Sequence, residues 1–462
     1  MKRNIYLILL LLMSTVEAFS NISLPAIFSD NMVLQRNAEV RIWGWAKPGE
    51  VVKITTSWNK DALQTRVGNN GSWEILLPTP NLREPQELTI TGYNTVVLKN
   101  VLLGEVWLVS GQSNMEWTAA AGIDNAEEAI AGAENPQIRF FSVHHRTAEF
   151  PQQDLDGQWI ASSPESMKHF SAVAYFFGKK LHEELDVPIG LINASWGGTP
   201  AEVWIPAEVI EKDEELLRAA KMLPDVEWGP REPGLLFNSM INPITLFEIA
   251  GVLWYQGESN TDNADYYEHM FSALIDSWRQ KWNSKLPFYY AQIAPYDYGD
   301  NFAGVKVRDA QRRVLKMPKT GMVMTSDIGD IEDIHPRNKK DVGLRFANLA
   351  LNEIYGKKTA AYFPLFEKAE KKKDRLRIYF ANAEQLKIDK ENPVSQFEVA
   401  GENGEFQLVK MKIKKDHVEL DISKIEEPTQ VRYSWRNAAS SNLFNEAGLP
   451  ASSFLEEINE NR

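Results

Sequence analysis

The chain reads as an α/β protein, with a parallel-sheet core between two β-sandwich-like modules. In its middle, short apolar runs alternate with stretches whose apolar residues recur at helical spacing, as in a sheet with helices on its faces. Toward both ends the helical period vanishes, and period-two segments alternate with turn residues. The length, 462 residues, exceeds one ordinary core, so two or three domains are expected.

Residues 1–18 read as a signal peptide. Lys2-Arg3 supplies positive charge, Ile5 to Met13 is almost continuously apolar, and Val16-Glu17-Ala18 fits small residues at a signal-peptidase site. The run is short for a membrane span, so a cleavable leader ranks above a retained anchor, and no stable membrane insertion is expected. The absence of cysteine excludes a lipoprotein anchor, disulfides and thiolate chemistry. An exported chain of this kind points to a bacterial periplasm or exterior.

Residues 19–100 form the N-terminal β domain, with strands at Val40–Trp45, Val51–Thr56 and Leu88–Gly92 and turns at Lys47-Pro-Gly49 and Asn69-Asn-Gly71. Residues 101–358 form the core. Its strands are Val106–Val109, Ile138–Val143, Ile189–Asn193, Ile249–Tyr255, Phe288–Ile293 and Gly321–Thr325. Helices are predicted around Phe170–Leu181, Tyr267–Trp282, Val305–Leu315 and Val342–Ile354. The third of these is polar and is expected to be exposed; the fourth ends at Gly356. Residues 359–462 form a second β module packed on the core, with strands at Leu376–Phe380, Phe397–Val399, Phe406–Met411, His417–Leu420 and Val431–Trp435.

Hydrophobic residues make up 44% and charged residues 24%, an ordinary soluble balance. A net charge of −13 argues against a nucleic-acid partner, which needs a basic patch; Lys371-Lys372-Lys373 is short and flanked by acids. Fourteen Trp and fourteen Tyr suit a core and also a sugar-binding cleft.

The chemistry gathers at strand ends, where open α/β sheets bind ligands. Val106 to Val109 stops at Ser110-Gly-Gln-Ser-Asn-Met115, which places Ser113 as a candidate nucleophile on a strand–turn–helix elbow. A serine nucleophile needs a base, and His335 in Asp327-Ile-Gly-Asp-Ile-Glu-Asp-Ile-His-Pro336 follows another strand. Asp333 is the nearest acid in sequence, with Glu332 its rival. The run lacks the oxygen rhythm of a calcium loop, no histidine pair has zinc spacing, and His144-His145 point to opposite faces if on a strand. No metal or other cofactor is expected. Oxyanion donors are expected from the Ser113 N–H, from the double glycine of Asn193-Ala-Ser-Trp-Gly-Gly-Thr199, and from the amides of Trp254-Tyr-Gln-Gly-Glu-Ser-Asn260.

Gly111-Gln-Ser-Asn-Met115, Trp254-Tyr-Gln-Gly-Glu-Ser259 and Asp333-Ile-His-Pro336 resemble the sialate O-acetylesterase family of SGNH-type hydrolases, as do Ser195–Trp204 and Asn445–Ala451. The resemblance runs along the whole mature chain. It implies a flavodoxin-like three-layer α/β/α core and hydrolysis of acetyl esters on sialic acid, without a metal. It also implies Ser113 as nucleophile, His335 as base, Asp333 as orienting acid, and the Ser113 N–H, Gly198 N–H and Gln256 as oxyanion donors. The chain departs from the wider SGNH pattern in carrying Glu332 where an aspartate is common, three residues before the histidine, so a serine–histidine dyad stays open. Trp117, Trp204, Glu258, Asn260 and Arg337 are expected to hold the sugar, with Arg231 a second choice for the sialate carboxylate. The competing readings are an acetyl esterase for another glycan, such as acetylated xylan, and a non-catalytic carbohydrate-binding protein.

Overall fold

A computed structural model describes residues 21–299, 301–415 and 417–458. The signal-peptide expectation falls outside the described residues. The N-terminal strands are β1 (Val33–Gln35), β2 (Ala38–Trp45), β3 (Val51–Thr56), β4 (Leu63–Arg66), β5 (Ser72–Thr79) and β6 (Gln86–Thr91). The core strands are β7 (Thr95–Gly111), β8 (Asn135–Ser142), β9 (Trp159–Ser162), β10 (Ile189–Ser195), β11 (Gly251–Tyr255), β12 (Phe288–Ala291) and β13 (Thr320–Val323). The helices are α1 (Ser113–Glu116), α2 (Ala126–Ala131), α3 (Pro164–Lys168), α4 (Ala172–Leu185), α5 (Ala207–Glu211), α6 (Glu214–Ala220), α7 (Tyr267–Lys281), α8 (Ala303–Val314) and α9 (Lys339–Glu353).

The core sheet runs β13-β12-β11-β7-β10-β8-β9. Its pairings are parallel except for antiparallel β9 at the edge. Strand β7 is central because its residues are apolar on both faces. Val106 and Leu108 join one core with α7 and α8, while Trp107 and Val109 join another with α4 and α9. That gives three layers, α/β/α. The helices start where small polar side chains cap them: Ser171 Oγ accepts from Ala174 N at 3.2 Å, and Asn338 Oδ1 accepts from Asp341 N at 3.0 Å.

One strand serves two sheets. Thr95 to Val101 of β7 pairs antiparallel with β6, Leu102 to Gly104 pairs parallel with β1, and Glu105 to Gly111 pairs with β10. The N-terminal strands therefore share a continuous hydrophobic core with the main sheet, from Ile42 and Ile54 to Trp204 and Trp254. The C-terminal residues build their own core from two four-stranded sheets, with Leu376, Phe397, Val418, Val431 and Phe454 at its centre.

Helix α8 corrects the expectation of exposure. Arg308 and Gln311 are fully buried, and Asp309 and Arg312 nearly so. The C-terminal module supplies partners for the arginines, while Gln311 bonds within the core. Arg308 Nη1 donates to the Asn437 carbonyl at 2.9 Å and Nη2 to the Arg436 carbonyl at 2.5 Å; Arg312 meets Asp309 and Glu456. Polarity here marks an interface between modules. Among the described residues no helix is long and apolar enough to cross a membrane.

Arg308→Met should lower unfolding stability by roughly 1–3 kcal/mol, because the Arg436 and Asn437 carbonyls each lose a charged donor while keeping a backbone N–H, of Ala439 and Tyr296 respectively. Urea unfolding measures it, and a loss below about 0.5 kcal/mol would contradict the buried linkage.

Candidate active site

Three strand ends meet at Gly111. Its register partners are Ser195 of β10 and Tyr255 of β11. Trp196 N donates to the Gly111 carbonyl and Gln112 N to the Tyr255 carbonyl, both at 3.0 Å. Gly111 has φ +135°, and a β-carbon there would stand 2.2 Å from the Tyr255 carbonyl oxygen, so only glycine lets the strand end this way. The next turn lifts Ser113 to the start of α1, where backbone N–H groups have no intrahelical acceptor.

Ser113 Oγ lies 2.9 Å from His335 Nε2. The imidazole stacks on Trp117, with centroids 4.3 Å apart and planes at 18°. Burial, then the nearby Lys339 charge, holds His335 below its ordinary value, with Asp333 opposing. The imidazole is therefore neutral at neutral pH, as a proton acceptor must be.

The acid behind the histidine does not form a hydrogen-bonded triad. Asp333 Oδ1 is 3.9 Å from His335 Nδ1 and instead accepts the His335 backbone N–H at 2.8 Å, closing its own turn. Glu332 is exposed, and its backbone N–H donates to Asp330. Asp327 is paired with Arg345.

A buried network lies beneath the pair. Lys339 Nζ donates to Asn114 Oδ1 at 2.5 Å; Asn114 Nδ2 donates to Glu258 Oε1 at 2.6 Å and to the Ile334 carbonyl at 3.0 Å. Asn114 thus ties the residue after the serine to the residue before the histidine. Burial pushes Lys339 down to about 7, against the attraction of Glu258, and pushes the Glu258 carboxyl up.

Across Ser113 stands the Gly197-Gly198 turn. A β-carbon on Gly197 would lie 3.3 Å from Ser113 Cβ. Gly198 has φ +72°, so its N–H takes a direction that residues with a side chain rarely allow, and among the described residues it donates to no protein acceptor. Glu116 Oε2 accepts the Gly197 N–H at 2.6 Å, and Glu116 Oε1 meets His145 Nε2 at 2.9 Å. His145 stacks flat on Trp196 at 4.3 Å. Burial opposes its charge, but the Glu116 hydrogen bond and the Ser195 carbonyl prevail and raise it. The Glu116–His145 brace was illegible in sequence, since Glu116 looks like a surface acid of a short helix.

Several expected residues turn out to be internal braces. Gln256 is fully buried; its Nε2 donates to the Thr199 carbonyl and Asn260 Oδ1, and its Oε1 accepts from Tyr267, so its donors are taken up away from Ser113. Asn260 is fully buried and bonds Glu202, Asn263 and Ala201 N. Trp204 is fully buried, with Nε1 on Thr199 Oγ1, and offers no ring face to a sugar. Glu258 points to Asn114, and Trp117 gives one ring face to His335. Arg337 is exposed at the rim, beside Asp124 at 3.7 Å. Among the described residues no group of three or more His, Asp or Glu is gathered in a metal-binding set.

An open parallel sheet carrying a Ser–His pair and glycine-rich turns at its carboxyl edge defines the class, an esterase with an SGNH-like three-layer core. The family model described as "Carbohydrate esterase, sialic acid-specific acetylesterase" matches residues 103–352, more than half of the chain, and the chain belongs to that family. The chain is 32% identical over 438 residues to the sialate O-acetylesterase of Rattus norvegicus, covering 80% of each. It is 31% identical over 404 residues to that of Homo sapiens, covering 79% of this chain and 77% of the relative. A crystal structure of a carbohydrate acetylesterase from Xanthomonas citri superimposes with a TM-score of 0.86 at 32% identity, covering 94% of this chain and 99% of that one.

The depressed His335 places the acid limb of kcat/KM below pH 6.5, with activity rising as pH rises through it and level above. Lys339 is cationic in that window. Lys339→Met should move the limb upward by as much as about one pH unit, because one cause of the depression is removed. A pH–rate profile of the variant with an unmoved or lowered limb would contradict this.

Proposed function

We propose that the chain is an exported sialate O-acetylesterase that works through an acetyl-serine intermediate. The observation that carries it is the 2.9 Å contact of Ser113 Oγ with His335 Nε2, in a chain whose family is sialic acid-specific. Ser113 Oγ attacks the acetyl carbonyl while His335 Nε2 takes its proton. The oxyanion faces the Ser113 and Gly198 N–H groups. Collapse expels the sugar oxygen, protonated by His335, and leaves acetyl-Ser113. A water deprotonated by His335 then attacks, releasing acetate and restoring the serine.

The pair acts as a dyad with a carboxylate in its field. Asp333 stabilises the imidazolium through space and shapes the loop through the His335 N–H. The apolar N-terminal run supports export to the periplasm or exterior, with cleavage after Ala18.

Acetate release from O-acetylated sialic acid and from acetylated xylan tests the substrate; activity on xylan alone would overturn it. Ser113→Ala should lower kcat by about a thousandfold or more. Asp333→Asn keeps an oxygen for the His335 N–H, and its cost should stay within about tenfold, against roughly ten-thousandfold for a hydrogen-bonded triad acid. Steady-state kinetics of both variants decide between dyad and triad.

A further inference from the structure

We propose that the loop from Glu227 to Arg231 is the sugar-recognition element of this site, with Trp228 stacking on the sugar ring and Arg231 meeting the sialate carboxylate. This rests on the sialate reading above.

Position comes first. Gly197 abuts Ser113, and the next residue, Gly198, abuts Trp228: a β-carbon on Gly198 would stand 2.7 Å from Trp228 Cδ1 and Nε1. The adjacent Gly229 faces the Thr199 methyl and the Gly197 and Gly198 carbonyls. The loop therefore lies over the oxyanion turn, one residue away from the serine's neighbour.

Exposure comes second. Trp228 is 67% exposed, although it is among the largest apolar side chains in the molecule. The other tryptophans at the site are packed: Trp204 is fully buried, Trp117 covers His335 and Trp196 covers His145. An indole held over a reactive turn with an open face is what a pyranose needs, since the apolar C–H face of a sugar is desolvated against an aromatic ring.

Charge comes third. Arg231 is half-buried, and its Nε and Nη1 are shielded from water with no acceptor among the described residues. Burial depresses it, while Glu202, Asp262 and Asp225 act on it from a distance without a hydrogen bond. The Glu202 oxygens are taken by Asn260 and Asn263. The third nitrogen, Nη2, is not among the shielded atoms and has no protein acceptor among the described residues, so it is the edge at which a carboxylate would form a charge-assisted hydrogen bond. Arg337, by contrast, is exposed and already sits beside Asp124.

The test compares kcat/KM for an O-acetylated sialic acid, for its carboxylate methyl ester and for 4-nitrophenyl acetate. Wild type should prefer the free acid over the methyl ester by about tenfold or more, as one lost charge-assisted pair implies. Arg231→Met should bring that ratio to within about threefold, and Arg231→Lys, which keeps the charge, should fall between. Trp228→Ala should lower the ratio of sugar to aryl-acetate turnover by about fivefold or more. Each readout is a ratio within one variant, so misfolding does not mimic it. A preference retained in Arg231→Met overturns the proposal. Wild type that cleaves acid and methyl ester equally also overturns it, while leaving the sialate reading intact. Wild type that cleaves only 4-nitrophenyl acetate overturns the sialate reading and the proposal together.

Discussion

Everything at this site depends on how closely β7 and β11 approach at Gly111. With no side chain there, the Tyr255 carbonyl comes within reach of the Gln112 N–H, and the strand turns out of the sheet at that residue. A larger residue would push β11 away and tilt the turn carrying Ser113. The same residue accepts from Trp196 N, so the Gly197-Gly198 turn is tied to that point as well. The Ser113 turn and the Gly197-Gly198 turn are thus referenced to one backbone position on rigid strands, which is how short-range geometry is kept without help from the ligand.

The second requirement is electrostatic. A serine–histidine pair works only if the imidazole begins neutral, and here burial and the Lys339 cation favour that form while the Asp333 carboxylate, which favours the charged one, opposes them. The cation is Lys339, the first residue of α9, and it reaches the site through Asn114. The chain thus uses the position after the nucleophile twice: Asn114 fills the turn, and its amide clamps the histidine loop at Ile334. A buried lysine beside a buried glutamate is costly in isolation, and such groups concentrate where a pKa is being set.

The strands and helices of the core were legible because their periods differ, and Ser113 with His335 because each lies on a polar segment that follows a strand. What sequence hid was direction. Gln256, Asn260 and Trp204 carry the chemistry of a binding site, yet each faces inward and holds a loop, since polar side chains near a sheet's edge also have to satisfy the carbonyls of the turns they support. Lys339 and His145 carried no signal of their roles in sequence because the partners that matter, Asn114 and Glu116, are more than two hundred and about thirty residues away respectively. Asp333, expected to orient the imidazole, instead accepts the His335 backbone N–H, a local option that short acidic side chains in loops take readily.

The polar pattern of α8 misled for a related reason, and its true role reaches the site. Gln311, fully buried on this helix, donates to the Gln256 carbonyl at 3.0 Å and accepts from Ile293 N at 2.9 Å. Gln256 in turn holds the Thr199 carbonyl, next to Gly198. On its other side α8 is fastened to the C-terminal module by Arg308, Arg312 and Arg313, and Gln292 of the neighbouring strand end reaches Ser452. An unbroken series of packed and hydrogen-bonded groups therefore runs from the C-terminal sheets through α8 to the turn facing the serine. A polar helix covered by a module of its own chain is stable only if that module brings acceptors for its arginines, and carbonyls at Arg436, Asn437 and Leu455 do so. The C-terminal module is thereby part of what holds the Gly197-Gly198 turn in place, and the polarity of α8 is the sequence record of that docking.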